Sequence, residues 1–405
     1  MKNQHQILII GGGTAGITTA ARLRNAMPQS DIAIIEPSEK HYYQPLWTLV
    51  GGGIMKKEVT QKDEVKYIPK NVKWIKDYAE DIDPDASTVS LRNGDVIGYE
   101  YLIIAPGIQL DWDKVKGLKE SIGKNGVCSN YSYQTVDSTW KALREFKGGN
   151  AVFTNPLGQI KCGGAPQKIM YLAEHYLRKN GLKDKSKVIG AFAGTVMLGV
   201  PEINEVLNGI VKKRNIDMRF YHNLVEVKGD EKIAVFDVRD AKTGEVIKQE
   251  EIEFNMLHAT PPQSSPDFLK KNAKLVLPDG PHVGFVDVDK YTLQHNSYKN
   301  IFSLGDSAAL PTAKTGAAVR KQAPVLVQNL KDLMAGNAPS KKYDGYSSCP
   351  LVTGYNSLVL AEFLYDNKYK PTFPINQAKE RYDMFLLKRY ILPILYWQFM
   401  LRGKA

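Results

Sequence analysis

Hydrophobic positions in this chain fall in short unbroken runs rather than in strict alternation. Residues 7–10 read Ile-Leu-Ile-Ile, residues 32–35 Ile-Ala-Ile-Ile, residues 101–104 Tyr-Leu-Ile-Ile and residues 188–192 Val-Ile-Gly-Ala-Phe. Runs of this kind predict strands buried on both faces, as in a parallel sheet covered by helices. The first run leads into Gly11-Gly12-Gly13-Thr14-Ala15-Gly16 and then a helical pattern over 17–26; the second ends in Glu36. Strand, glycine-rich turn, helix, strand and acid is the context that a dinucleotide fingerprint requires. Gly11 permits the tight turn, Gly13 lets the backbone approach a pyrophosphate, and Gly16 brings the helix close to its strand. Together with Thr14 and Ala15 they form the candidate phosphate loop, at a helix N-terminus that favours anions. Glu36 is placed to accept from ribose hydroxyls, which disfavours a 2′-phosphate.

Two later segments extend this site. The strand 101–104 runs into Ala105-Pro106-Gly107, and the short strand pattern 300–304 ends in Gly305-Asp306. At this point the chain resembles the FAD-containing disulfide-type oxidoreductases, in which a late Gly-Asp closes the flavin site. The middle of the chain then departs from the common pattern. After the strand 186–192 the turn reads Ala193-Gly194-Thr195-Val196-Met197-Leu198, with side chains where a second fingerprint would need bare backbone. A second nucleotide-like domain that does not bind nicotinamide is expected, and electrons must come from another donor. Residues 222–256 alternate as hairpins around the turn 240–244, and 257–300 is loop-rich. The expected fold class is α/β, two three-layer Rossmann-like domains. The first part of the FAD-binding domain covers 1–110, the second Rossmann-like domain 111–280, the rest of the FAD domain 281–340 and a C-terminal redox and membrane region 341–405.

Composition narrows the chemistry. The 405 residues are 43% hydrophobic and 24% charged, as in an ordinary globular protein. Three cysteines exclude a disulfide scaffold. No signal peptide pattern opens the chain, and no apolar stretch reaches the ~20 residues needed to span a bilayer. Cys162 lies in a Gly/Pro loop, Lys161-Cys162-Gly163-Gly164-Ala165-Pro166, ahead of a predicted helix over 167–179. The helix dipole and Lys161 are both expected to lower its thiol pKa. Cys349 sits in Ser348-Cys349-Pro350, a turned presentation, while Cys128 has no cationic or helix-initiating neighbour and reads as a bystander. The seven His residues are scattered and there is no C-x-x-C, so no metal site is expected.

The chain resembles the sulfide:quinone oxidoreductase family, in its mitochondrial-type branch. The segments that carry the resemblance are 11–16, 41–51 (His-Tyr-Tyr-Gln-Pro-Leu-Trp-Thr-Leu-Val-Gly), 161–174, 341–363 and 395–403. The resemblance implies redox cysteines at Cys162 and Cys349, and FAD-binding positions at the fingerprint, Glu36, Gln44, Asp306, Lys314, Thr315 and Gly316. It implies a relay in which hydrosulfide attacks the Cys162–Cys349 disulfide, Cys349 carries the persulfide and Cys162 engages the flavin. Quinone then takes the electrons, and the sulfane sulfur leaves to a small acceptor such as glutathione, coenzyme A, sulfite or cyanide. FAD is expected to be held without a covalent tether. Lys314 is read as a positive charge near the flavin. The sequence leaves homo-oligomerisation open.

The net charge of +11 needs an anionic partner. The last 27 residues hold six Lys/Arg and two Asp/Glu beside the apolar segments 384–387 and 390–401. An amphipathic pair of short helices, broken at Pro393 and lying in anionic lipid, is expected, with Tyr390, Tyr396 and Trp397 at the headgroups. This makes the protein a peripheral, monotopic one on the cytoplasmic face of the cell membrane. No basic run coincides with a nucleic-acid motif, so nucleic acid is not a partner. The rivals are a type II NADH:quinone dehydrogenase, a flavocytochrome c-type sulfide dehydrogenase, and a non-enzymatic protein that merely retains the flavin fold.

Overall fold

The computed structural model describes residues 3–405. The apolar runs form two parallel sheets. In the first, Gln4–Ile10 lies between Ile32–Ile35 and Val96–Ile104, with Val72–Ile75 outside Ile32–Ile35. Ile301–Ser303 pairs in parallel with the end of Val96–Ile104, in register Ile301 to Leu102, so a strand from late in the chain closes the sheet. The hairpin Ala79–Asp83 and Thr88–Leu91 extends the other part of Val96–Ile104. Residues 7–10 and 32–35 are almost fully buried, as an unbroken apolar run demands when helices cover both faces.

The second sheet has the order Val127–Cys128, Met256–His258, Gly149–Asn155, Ser186–Phe192 and Asp217–Arg219, all parallel. The helix Ala165–Lys179 crosses between its third and fourth strands. Its face Ile169, Met170, Leu172, Ala173 and Leu177 is buried. Residues 222–253 form a three-stranded antiparallel meander, which agrees with the alternating pattern read there.

A further antiparallel pair, Ser347–Gly354 with Ser357–Phe363, packs on the helix Ala165–Lys179. That packing brings Cys349 to Cys162 across 187 residues of chain. The C-terminus departs from expectation. It is one helical path, with α segments Tyr382–Leu386 and Leu392–Ile394 alternating with π turns Leu387–Ile391 and Leu395–Phe399. Pro393 does not break it: the wide π turn ahead of the proline absorbs the missing amide and the ring's bulk. No helix among the described residues is long and apolar enough to cross a membrane.

Candidate active site

The fingerprint loop has the shape of a dinucleotide cradle. A Cβ on Gly16 would meet the Gly11 carbonyl oxygen at 1.8 Å, so only glycine lets the helix Thr14–Ala26 lie this close to its strand. Gly11 has φ +98°, and a Cβ there would strike the Ala105 carbonyl oxygen at 2.4 Å. A Cβ on Gly13 would meet nothing within 4 Å, which leaves its backbone open to a ligand. The Gly12 amide donates to Glu36 Oε2 at 2.7 Å and the Ser38 amide to Oε1 at 2.7 Å. Burial pushes the Glu36 carboxyl above the usual range, and the two amides oppose that. Each carboxylate oxygen keeps acceptor capacity for a hydroxyl. The loop therefore fits a flavin dinucleotide.

The other expected cofactor positions gather around this cradle. The Ala105 amide donates to the Ile10 carbonyl at 2.8 Å, and Gly107 turns with φ +84°. Ala15 lies 3.0 Å from where a Cβ on Gly305 would stand. Gln44 opens the short helix Gln44–Leu46 and is exposed. Thr315 caps the helix Gly316–Met334, accepting from the Ala318 amide at 3.1 Å, so Gly316 opens that helix. Asp306 sits in the turn Gly305–Ser307, where burial raises its carboxyl.

Lys314 is buried. Its Nζ donates to the main-chain oxygens of Asp306 (2.7 Å) and Ala308 (3.0 Å) and lies 3.9 Å from the Phe285 ring centre. Burial lowers it to about 8. Its main-chain oxygen accepts from the Cys162 amide at 2.8 Å, which ties the cofactor loop to the cysteine loop.

The two sulfurs stand 3.8 Å apart, as free thiols. Cys162 has φ +50°, a left-handed conformation that a side-chain-bearing residue adopts only when its surroundings hold it there. Here the hold is its amide on Lys314 and its carbonyl on the Ala165 amide at 2.7 Å. The charge on the thiol does not come from Lys161. Lys161 Nζ donates to the Tyr131 carbonyl at 3.2 Å and faces the Trp47 ring, and burial lowers it to about 8. The cation is Lys168, whose Nζ donates to Cys162 Sγ at 3.1 Å. The shared proton of the Cys349 thiol and the Lys168 ammonium hold Cys162 well below the ordinary thiol range, against burial. Cys349 is pushed well above it, by that same hydrogen bond and by burial. Burial opposes the charge on Lys168, but the two sulfurs outweigh it and raise its pKa. The arrangement makes Cys162 the thiolate and Cys349 the thiol.

A second lysine enters from the C-terminal helix. Lys388 is 2% exposed and its Nζ donates to the Pro45 carbonyl at 2.7 Å. Burial, then Lys168, depress it to about 7. Sequence reading placed Lys388 with the lipid-facing charges. The signal that points inward is helical phase, since Lys388 follows the buried Met384 and Phe385 by four and three residues. Lys168 gave a similar signal, standing in the buried face Gln167-Lys168-Ile169 of the cysteine helix. Cys128 is fully buried at a strand end, and burial pushes its thiol to about 12.

The same helix presents Tyr390, Ile391, Ile394, Leu395 and Phe399 outward, each more than two-fifths exposed. Tyr396 and Trp397, expected at headgroup level, are instead buried in a cage with His41, Tyr43 and Tyr67. Beside the cysteine loop lies a cavity of about 410 Å³, between residues 155–163, the turn 194–200 and residues 311–313. In the turn 194–200 Met197 is buried and its amide donates to Asn204 of the following helix at 3.0 Å, while Thr195 and Val196 are exposed.

Residues 5–141 match the family model described as pyridine nucleotide-disulphide oxidoreductase. Over 402 residues the chain is 46% identical to "Sulfide:quinone oxidoreductase, mitochondrial" of Mus musculus, covering 99% of this chain and 87% of that protein. It is also 46% identical to the protein of the same name from Dictyostelium discoideum, covering 100% of this chain and 87% of that one. Among solved structures, the sulfide:quinone oxidoreductase of Aquifex aeolicus superposes with a TM-score of 0.80 at 22% identity, over 99% of this chain and 92% of that one.

Proposed function

The chain belongs to the sulfide:quinone oxidoreductase family, and we propose that it oxidises sulfide to a persulfide on Cys349, using Cys162 as the thiolate that hands on the electrons. It is an enzyme, a flavoprotein that couples sulfide oxidation to quinone reduction. The observation that carries the residue assignment is Cys162 Sγ, 3.8 Å from Cys349 Sγ and 3.1 Å from Lys168 Nζ. Hydrosulfide attacks the sulfur of Cys349 in the oxidised pair. The S–S bond breaks, the new S–S bond forms on Cys349, and Cys162 leaves as the thiolate that Lys168 neutralises. Cys162 is the better leaving group because Lys168 Nζ, 3.1 Å from its sulfur, neutralises the departing thiolate. The flavin, when bound, accepts the electron pair from this side and delivers it to quinone. A nucleophile takes the sulfane sulfur from Cys349 and leaves its thiolate, which re-forms the S–S bond with Cys162 as that electron pair departs.

FAD is held non-covalently, by the fingerprint loop, Glu36 and the Asp306–Gly316 region, with Cys128 too deeply buried to serve as a tether. Hydrosulfide and the sulfur acceptor use the 410 Å³ cavity, whose lining carries no carboxylate to repel an anion. The exposed apolar face of the C-terminal helix docks on a membrane, where quinone is dissolved. The NADH-dehydrogenase alternative has no support in the turn 194–200, where Thr195, Val196, Met197 and Leu198 occupy the place of a nucleotide loop.

Anaerobic titration of the oxidised protein tests this reading. Sulfide is expected to bleach the flavin absorbance. Cys162→Ser and Cys349→Ser should each abolish the bleaching while FAD stays bound. Bleaching by NADH alone, or normal turnover in either variant, would sink it.

A further inference from the structure

One buried hydrogen-bond chain joins the C-terminal helix to the dinucleotide loop and has no part in the sulfur chemistry. Glu64 is 1% exposed, and its Oε2 lies 3.0 Å from His41 Nδ1. His41 Nε2 lies 2.5 Å from the Tyr396 hydroxyl, which in turn lies 2.7 Å from Thr14 Oγ1. The Tyr396 hydroxyl thus bridges the His41 ring to the side chain of Thr14, the first residue of the fingerprint helix. At the other end, Glu64 Oε1 is buried without a partner, 2.6 Å from where a Cβ on Gly12 would stand and beside the Glu36 side chain. A buried acceptor left unpaired is costly, so a hydroxyl donor from the ligand is the missing partner.

The last turns of the chain reinforce the connection. Asn25 of the fingerprint helix donates to the Arg402 carbonyl at 3.2 Å, and Gly403 (φ +70°) lies where a Cβ would come within 2.8 Å of the Arg22 amide. The C-terminal segment is thus seated on the helix that opens at Thr14.

We propose that Tyr396 is a positioning residue for FAD: through Thr14 on one side, and through His41 and Glu64 on the other, it sets two of the groups that line the dinucleotide site. The proposal rests on the reading of residues 11–16 as the FAD loop, and is independent of the roles given to Cys162 and Cys349. It makes cofactor retention a property of the docked C-terminal helix.

The test is a double-mutant cycle on FAD affinity, in the full chain stripped of flavin and titrated with FAD by fluorescence quenching. Tyr396→Phe keeps the ring in its aromatic cage and removes only the hydroxyl. Its FAD Kd is expected to rise about tenfold, as for the loss of one well-placed hydrogen bond. Thr14→Val should raise Kd as well, and the double variant should be no weaker than the weaker single, because both act through one chain. A merely structural role for the hydroxyl would lower the thermal midpoint of the FAD-free protein and leave Kd unchanged. A Kd within about twofold of wild type in Tyr396→Phe, or fully multiplicative effects in the cycle, would overturn the proposal. Failure of sulfide to bleach the wild-type flavin would strike the thiol assignment and leave this result standing.

Discussion

At the scale of single residues, two thiols in one apolar pocket acquire opposite roles from one neighbouring ammonium. Lys168 stabilises Cys162 as an anion, and the remaining proton goes to Cys349. Replacing Lys168 by Met removes that cation and leaves the Cys349 hydrogen bond alone against burial, which raises a thiol. In the reduced protein, alkylation by iodoacetamide at pH 6 should then slow about tenfold or more, one pKa unit being one decade in thiolate fraction below the pKa. An unchanged pH profile in Lys168→Met would place the source of the anion elsewhere. Lys388 yields a separate expectation. Its pKa is about 7 in the folded chain, depressed by burial from an ordinary 10.5. Between these values the unfolded chain binds the proton and the folded chain does not, so stability rises with pH across this window. Below about 7 the destabilising contribution of Lys388 is present in full. Lys388→Met should flatten the gain in urea midpoint between pH 7 and 9. An identical gain in both proteins would refute the burial of this ammonium.

At the scale of elements, the C-terminal helix does three jobs from one continuous path. It sends Lys388 inward to the Pro45 carbonyl, Tyr396 to the dinucleotide loop, and Tyr390, Ile391, Ile394, Leu395 and Phe399 to the outside. Deleting it would therefore confuse membrane docking with loss of the site, and substitutions on the outer face alone are the cleaner probe. Ile394→Glu with Phe399→Glu should shift the protein from the pelleted to the free fraction in liposome sedimentation. Sulfide should still bleach the flavin, while quinone reduction falls. Undiminished liposome binding would show that this face serves another contact. The sequence made the helix and its apolar character legible, because a run of apolar residues at 384–401 needs no tertiary information. It did not show which face turns inward. Tyr396 and Trp397 suit a headgroup region by composition, and the cage formed by His41, Tyr43 and Tyr67 some 350 residues earlier is a contact no local pattern encodes. The fingerprint was the opposite case. Gly11, Gly16 and Glu36 act within a single strand–helix–strand unit, so spacing alone located them. The Cys162–Cys349 approach lay between these extremes: residue type and loop context marked both thiols, but the approach itself depends on the strand Ser347–Gly354 packing on the helix Ala165–Lys179.

At the scale of the whole molecule, the surfaces proposed for sulfur and for quinone are separate. The 410 Å³ cavity is lined by residues 155–160 and Gly163 beside the cysteine loop, by Gly194 and Leu198–Val200, by residues 311–313 and by His282, Phe363 and Asn367, and no residue of the C-terminal helix lines it. In a nicotinamide-using relative of this fold the turn 194–200 would approach a pyrophosphate; here it carries Leu198, Gly199 and Val200 into the cavity wall. The second Rossmann-like sheet thus contributes a wall of the cavity proposed for the sulfur acceptor. Gly194 is in that wall, has no positive φ, and a Cβ placed on it would meet nothing within 4 Å. Gly194→Leu should therefore fold normally and take up space in the cavity. For a bulky thiol acceptor, kcat/KM is expected to fall about tenfold or more, because a filled pocket loses both space and apolar contact. For sulfite or cyanide, which need only a few ångströms of clearance, it should stay within about twofold, and single-turnover bleaching by hydrosulfide should be equally fast. Parallel losses for large and small acceptors would mean that the substitution disturbs the cysteine loop. No loss for either would mean that sulfur leaves Cys349 by another route.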